Sequence, residues 1–566
     1  MKKFSKILAV LMAAGMGCTI ATACNNAGES DGDATKITVM NVAGGVGREW
    51  LDNAIVRFKE KVKDEPYEEG KTGVTFEVAY EGDTQVSAMK TSGYNIYFDS
   101  SNQTGLSLSQ GKYVLDISDI VTEDIDVRDG ENISIEDKLD ENYADIMLKG
   151  TDKAYYALPH FALYGGLTYD QDLFDANGYY FAAPDGEQTK PVETYESDFG
   201  TAKFIGRKED GYGEGKKSCG NDGKYGTSDD GMPTSLVELL ILCDKLDYES
   251  CPPLTFAGWS GSYGYYLESG LWAALAGPEE MEAIYSGKGE ITVVTGFTDE
   301  NLFDGIDYIK KPTTQVVTLD DSKKNLANNS VYRYYSIAYQ EIAYREDWFS
   351  DYSWQPECTN IDAMKHFMYS GKYGRPNMGM FIEGDYWYNE SRDNNVPQEY
   401  QKVTKDNDRK MAWMPLPTSL ADSASENNGR KYCMLNTANG LAFINANIDK
   451  PGNEGLIRAC KDFLQFCYTD NELSHFSGLT GVMKSALNYN LNSEHIADLN
   501  YFSKSVLELR ISENTVGVNS PLVSWVNSAI YRPYLERNYG CSIQAFNMNK
   551  EANAQNIFKS RANDLK

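Results

Sequence analysis

Histidine is scarce: only His160, His366, His475 and His495 occur in 566 residues, scattered along the chain, and no HExxH sequence holds any of them. Zinc-protease chemistry therefore has no motif here, and a structural or surface role is the default for each ring. Among 10 cysteines no CxxC pair occurs, which removes the usual zinc and redox pattern. Beyond the N-terminus no stretch reaches the roughly 18 apolar residues of a membrane-spanning helix. The best, Leu236 to Cys243, is short and interrupted by Glu238. Positive charge is in deficit, with 53 Lys and Arg against 83 Asp and Glu, a net charge of −30. Such a field repels phosphate backbones and anionic membrane surfaces, so nucleic acid is not an expected partner. Other catalytic signatures fail as well. Gly44-Gly45-Val46-Gly47 lacks the third glycine of a dinucleotide loop, and Gly258-Trp259-Ser260-Gly261-Ser262 misses a nucleophile elbow at its last residue. Lys71-Thr72-Gly73 and Ser109-Gln110-Gly111-Lys112 stand in the reverse of the order that penicillin-interacting enzymes use, with no SDN anywhere.

What is present is apolar material for more than one core. The chain is 41% hydrophobic and long enough for at least two domains. It opens with a basic segment, Met1 to Lys6, followed by the apolar run Ile7 to Met16 and small residues, the layout of an export signal. Ala21-Thr22-Ala23-Cys24 resembles a bacterial lipobox, with Ala21 in place of the usual Leu and Cys18 as a second candidate. Lipidation is expected at Cys24, after a signal peptide of residues 1–23. Two acyl chains there would supply a membrane hold that one chain cannot. Residues 24–35 then form the lipidated cysteine and a polar tether. The alternative is an ordinary cleaved signal with an incidental Cys24. Either way the body is expected outside the cell, at the outer face of the cytoplasmic membrane. Of the later cysteines, Cys460 and Cys467 share a helical face with Ile457, Phe463 and Leu464, and Cys243 lies on the apolar face of its own helix, so buried thiols account for them. A Cys243–Cys251 bridge stays open on spacing alone.

After the tether, strands alternate with helices. Ile37 to Val42, Val74 to Tyr80 and Tyr94 to Phe98 read as strands, and Arg48 to Lys63 as a helix with Trp50, Ile55 and Phe58 at helical spacing. Thr84 to Thr91 suits a short helix. This alternation predicts an α/β fold with a mainly parallel sheet, whose ligands bind beyond the carboxyl ends of the strands. Asn41, Glu81, Asp83, Asp99 and Ser100 fall at that rim, where turn formation is the competing explanation.

Five segments carry a more specific resemblance. They are DKAYYALP (Asp152 to Pro159) with GLTYDQDLFDANG (Gly166 to Gly178), PTSLVELL (Pro233 to Leu240), MGMFIEGDYW (Met378 to Trp387), WMPLP (Trp413 to Pro417), and Gly440 to Asn445 with ACKDFLQFCYT (Ala459 to Thr469). In this order they resemble the extracellular solute-binding proteins of carbohydrate ABC transporters, the maltose-binding-protein-like family 1. The resemblance implies a type II periplasmic-binding-protein-like fold with two discontinuous α/β lobes around a central cleft. One lobe would comprise residues 36–165 and 405–480, the other 166–404 and 481–566. The segment at about 184–231 departs from the family as an insertion of loop composition. The implied function is capture of a carbohydrate, an oligosaccharide, by hinge closure and its delivery to permease subunits. A monomer held to the membrane only by its lipid is implied, with no catalysis and no required cofactor.

A sugar offers C–H faces that stack on aromatic rings and hydroxyls that need donors and acceptors. Trp259 follows a strand-like run and precedes a glycine-rich turn, so it is the first candidate for stacking. Tyr386 and Trp387 follow Gly384 where the resembled family often places its ring. Core packing is the alternative for each, and the better explanation for Trp50, Trp272 and Trp525. Within the insertion, Asp222, Asp229 and Asp230 stand among glycines with oxygen-rich spacing, so calcium is weighed against an ion-free Asp/Gly turn. A surface-anchored glycoside hydrolase stays open, because two suitably spaced carboxylates suffice for it. So does a glycan-capture lipoprotein without a permease.

Overall fold

Residues Thr35–Asn41 form the first strand, β1, with Ile37, Val39 and Met40 fully buried. The helix Glu49–Lys61 follows, acidic in its first turn (Glu49, Asp52) and basic in its last (Lys59, Lys61), the polarity that the helix dipole favours. Strands β2 (Val74–Ala79) and β3 (Ile96–Asp99) then flank β1, both parallel to it. The chain continues through β4 (Leu158–Asp170), the hairpin β5 (Glu193–Ser197) and β6 (Gly200–Phe204), β7 (Leu254–Thr255), and a second hairpin of β8 (Gly289–Asn301) and β9 (Lys310–Leu319). It closes with β10 (Met380–Gly384), β11 (Met411–Met414), β12 (Tyr432–Ile444) and β13 (Thr515–Val518). The computed structural model describes residues 33–80, 88–100, 104–125, 131–260, 263–343, 347–355, 357–405, 409–421 and 431–518, with 555 and 558.

The chain divides into two units, one from Met1–Ala162 and Ala438–Leu499, the other from Leu163–Thr437 and Asn500–Lys566. The passages between units lie within β4, within β12 and after Leu499. Discontinuity was expected, but two boundaries differ. The return to the first unit comes at Ala438 rather than near 405, because β11 pairs with Leu167 to Asp170 of β4 inside the second unit. The last exit comes after Leu499 rather than 480, because Leu487 bridges Leu139 and the Asn488 N–H donates to the Lys138 carbonyl at 2.8 Å.

In the first unit the strand order is β2-β1-β3-β12, with the carboxyl-terminal half of β12 antiparallel to β3. Its core joins Trp50 and Phe58 to Phe76, Phe98, Phe463 and Phe476 in edge-to-face ring contacts. Cys460 and Cys467 lie in this core as free, buried thiols.

In the second unit β10 lies between antiparallel β4 and parallel β7. The GLTYDQDLFDANG segment is legible atom by atom. Asp170 caps the helix Gln171–Asn177 by accepting the Leu173 N–H, and Gly178 ends it at φ 67°, where a Cβ would meet the Gly206 carbonyl oxygen at 2.1 Å. The PTSLVELL segment starts the helix Leu236–Tyr248: the Ser235 hydroxyl accepts the Glu238 N–H, and Glu238 accepts from the Thr234 N–H and hydroxyl. The insertion is more ordered than its composition suggests, since β5 and β6 pair along their full length and Lys245 ties Glu193 to Glu249, both at 2.9 Å. Cys243 and Cys251 are not joined by a disulfide, so no bridge closes that loop. Among the described residues no helix is long and apolar enough to cross a membrane.

Candidate functional site

The second unit gathers an aromatic and acidic cluster where the parallel pair β7 and β10 ends. After β7 the chain turns through Phe256 to Trp259. Gly258 is required there, because a Cβ would approach the Ser353 carbonyl oxygen to 1.8 Å. The Trp259 N–H donates to the Cys358 carbonyl at 3.1 Å, which fixes the tryptophan at the strand's carboxyl end with its ring half-buried. Tyr263 and Tyr266 follow around the start of the helix Gly264–Ser286. Ring centroids of Trp259 and Tyr263 lie 6.4 Å apart, those of Tyr263 and Tyr266 5.5 Å apart. After β10, Tyr386 joins them, its hydroxyl 2.8 Å from that of Tyr266. Trp259 and Tyr386, singled out from sequence, thus belong to one cluster, half-buried and rich in π faces.

Carboxyls stand beside these rings. Glu383 is 1% exposed at the end of β10, and burial followed by the charge of Glu390 pushes its carboxyl well above the usual carboxylate range. Glu390 accepts a hydrogen bond from Asn360 Nδ2 at 3.2 Å, and burial raises it to about 7. Asp385 accepts the Tyr164 N–H at 2.9 Å and lies 3.7 Å from Arg510; burial dominates and raises it to about 6. The same desolvation and these acids push the Tyr263, Tyr266 and Tyr386 hydroxyls upward, so all three are neutral donors and acceptors at ordinary pH. Platforms and two-way hydrogen-bonding groups converge here, which is what a polyhydroxyl ligand requires.

Trp387 does not belong to it. Its side chain is fully buried against Phe367, Phe381 and Phe502, and its Nε1 donates to Thr168 Oγ1 at 3.0 Å. It starts the helix Trp387–Asp393, and that first turn sends Tyr386 and Trp387 to different faces. Trp50 and Trp272 are core residues, as their helical stripes predict, whereas Trp525 lies outside the described residues.

In the first unit, Asn41 and Asp99 end β1 and β3 side by side, both fully buried, with Asn41 in register with Phe98. Asn41 Nδ2 donates to the Gly47 carbonyl at 3.4 Å. Ser100 follows, half-buried. Glu81, Asp83 and Cys24 lie outside the described residues. Deeper in this unit, Lys484 sits among rings beside His160, an arrangement without a sequence signal.

In the insertion, Asp222, Asp229 and Asp230 act as turn acceptors. Asp229 receives the Asp222 N–H at 3.0 Å and the Thr227 hydroxyl at 2.7 Å, Asp222 receives the Lys224 N–H at 2.7 Å, and Asp230 the Gly226 N–H at 2.8 Å. Among the described residues no group of three or more His, Cys, Asp or Glu side chains is arranged to hold a metal ion.

Tyr263, Tyr266, Glu383, Glu390 and Asn360 were not singled out from sequence. Two signals stood in view: an acid inside the apolar run of FIEG, and tyrosines three apart directly after Trp259.

No family model and no curated protein matches the chain. Solved structures do. Maltose-bound MalE3 of T. maritima aligns at 11% identity with a TM-score of 0.51, covering 94% of this chain and 99% of that one. A chitin oligosaccharide binding protein aligns at 13% identity and TM-score 0.49, over 94% and 98%. Apo RafE from Streptococcus pneumoniae aligns at 9% and 0.48, over 95% and 100%. The end-to-end match with MalE3 concerns architecture, and it agrees with the two discontinuous α/β units: the chain has the fold of the type II periplasmic binding proteins.

Proposed function

We propose that this chain is the substrate-binding lipoprotein of an ABC importer, anchored through Cys24, and that it captures a carbohydrate and delivers it to a permease. The observation that carries the proposal is the cluster of Trp259, Tyr263, Tyr266 and Tyr386 with Glu383, Glu390 and Asn360 at the carboxyl ends of β7 and β10. Rings stack on sugar C–H faces, and the neutral acids and hydroxyls both give and accept hydrogen bonds. Hinge closure on the ligand stabilises a closed form by its differential affinity, and the permease recognises that form. No covalent step is assigned.

A thermal-shift panel of oligosaccharides tests this directly. A ligand at about 100 times its Kd adds roughly 2.7 kcal/mol of stability, enough for a clear rise in Tm. The cognate sugar should raise Tm, be recovered intact, and reduce the radius of gyration seen by X-ray scattering. Release of shorter sugars on incubation would make the chain a hydrolase, and an unchanged Tm across the panel would remove carbohydrate capture.

A further inference from the structure

Several ionisable groups buried in the second unit have partners of opposite charge. Arg409 Nη2 lies 2.6 Å from Asp170, Arg333 Nε 3.2 Å from Glu268, and Lys245 2.9 Å from both Glu193 and Glu249. Glu383 is built differently. Among the described residues its Oε1 accepts only the adjacent Gly384 N–H, at 2.9 Å, and its buried Oε2 has no donor. The titratable groups that face it are Glu390 and the hydroxyls of Tyr263, Tyr266 and Tyr386. Glu390 in turn faces Asn360 and Asp393. Asp385, which faces Tyr266, lies 3.7 Å from Arg510. Among the described residues no lysine or arginine pairs with Glu383 or Glu390.

Two neighbouring carboxyls without a cation, beside four rings whose faces attract positive charge, form the complement of an ammonium group. The chain's net charge of −30 favours the approach of such a ligand. We propose that this cluster selects a saccharide bearing a protonated amine, its N–H groups donating to Glu383 and Glu390 and its ring lying against Trp259 and the tyrosines. The proposal rests on the carbohydrate reading above and narrows it. Because burial raises both carboxyls, Glu390 to about 7, binding below that pH is coupled to proton release: the carboxyl O–H proton passes to solvent as the ammonium N–H takes its place.

The experiment is isothermal calorimetry of the full chain with glucosamine oligomers, their N-acetylated counterparts and glucose oligomers, repeated in two buffers of different ionisation enthalpy. At about pH 6, where the glucosamine amines are ammonium, the amine form should bind at least about tenfold tighter than either neutral form and release protons, and its affinity should rise between about pH 5 and 6. Glu383→Gln should weaken the amine form at least about tenfold while leaving the N-acetylated form within about threefold. Glu390→Gln provides a second variant with the same expected direction. Neutral oligomers binding as well or better, without proton release, would overturn the amine preference and leave carbohydrate capture standing. If none of the three classes binds, the amine preference falls, and carbohydrate capture is decided by the oligosaccharide panel.

Discussion

Replacing Lys484 by methionine should stabilise the first unit. Lys484 is 2% exposed, and its Nζ donates to His160 Nδ1 at 3.2 Å beneath the rings of Phe476, Tyr468 and Trp50, whose centroids lie 4.5, 4.7 and 5.2 Å away. The nearby carboxylate of Glu472 is already held by Arg57 in a two-pronged pair at 2.6 and 2.7 Å. Burial therefore dominates and pushes the Lys484 ammonium down from 10.5 to about 7. At about 1.4 kcal/mol per pH unit between the unfolded and folded values, keeping the charged form inside costs on the order of 4–5 kcal/mol. The folded value lies below the unfolded one, so between about pH 7 and 10.5 the unfolded chain holds a proton that the folded chain lacks. Stability of the wild type thus rises with pH across that window, and the full cost is present below it. Methionine keeps the length of the side chain and loses the charge, together with a hydrogen bond and cation–π contacts worth about 2 kcal/mol. The net gain should be roughly 2–3 kcal/mol at pH 6, fading towards zero near pH 10. Urea unfolding followed by circular dichroism measures it: the transition of the first unit should move up by about 1 M at pH 6, and the difference between variant and wild type should shrink as pH rises. A variant that is less stable at pH 6, or a difference independent of pH, would refute the reasoning.

Four further outcomes are expected. Trp259→Ala should cost at least about tenfold in glycan affinity with the apo Tm nearly unchanged, because its half-buried ring lies in the cluster rather than in the core. Trp387→Ala should instead destabilise the second unit by about 3–5 kcal/mol, as chemical denaturation would report, since its ring fills the space between Phe367, Phe381 and Phe502. Burial holds Glu390 protonated in the folded chain over a window, from 4.5 to about 7, in which the unfolded chain has ionised. Wild-type stability is therefore lost as pH rises through it, and Glu390→Gln should gain more on the wild type at pH 8 than at pH 5 in thermal scans. With iodoacetamide under native conditions, Cys219 should be alkylated before the six buried thiols at 243, 251, 358, 433, 460 and 467, which should react only on unfolding. Peptide mass spectrometry distinguishes the two classes.

Local chemistry made the architecture legible before any coordinates. Period-two and helical-period apolar patterns located β1, the helix Glu49–Lys61, β2 and β3 to within a few residues, because each buries a face that its own sequence defines. Motif segments carried over where their chemistry is short-range, as with the Asp170 cap and Gly178. Trp259 was legible for the same reason: a strand end, a tight glycine turn and a large ring occur in one stretch. Trp387 was not, since the choice of ring after Gly384 depends on which side of a helical first turn meets Phe502, more than a hundred residues away. The hairpin β5–β6 was hidden because Glu193 to Phe204 alternates polar with weakly apolar residues, and Lys245 from another helix completes it. The boundaries at 438 and 499 rest on pairings of β11 with β4 and of Leu487 with Leu139, which no local pattern announces.

Charge burial separates architecture from function in this chain. Three buried acids are each met by a cation: Arg57 with Glu472, Arg409 with Asp170, Arg333 with Glu268. Such pairs roughly offset their own desolvation and fix geometry, so removing one partner is costly and the pair implies no ligand. Lys484 and Glu383 break the pattern in opposite senses, one an ammonium among rings beside a histidine, the other a carboxyl among tyrosines beside a second acid. Their surroundings distinguish them. The groups around Lys484 are buried core residues of β3, the helices Glu49–Lys61 and Asp470–Thr480, and Tyr468, so its removal should relax a strained interior. Around Glu383 the rings of Trp259, Tyr263, Tyr266 and Tyr386 are all half-buried, keeping part of their surface for something else to cover. An uncompensated acid behind partly uncovered aromatic faces lowers its free energy only when a donor arrives from outside the fold. That is why Glu383→Gln should alter ligand selection, whereas Lys484→Met should alter stability alone.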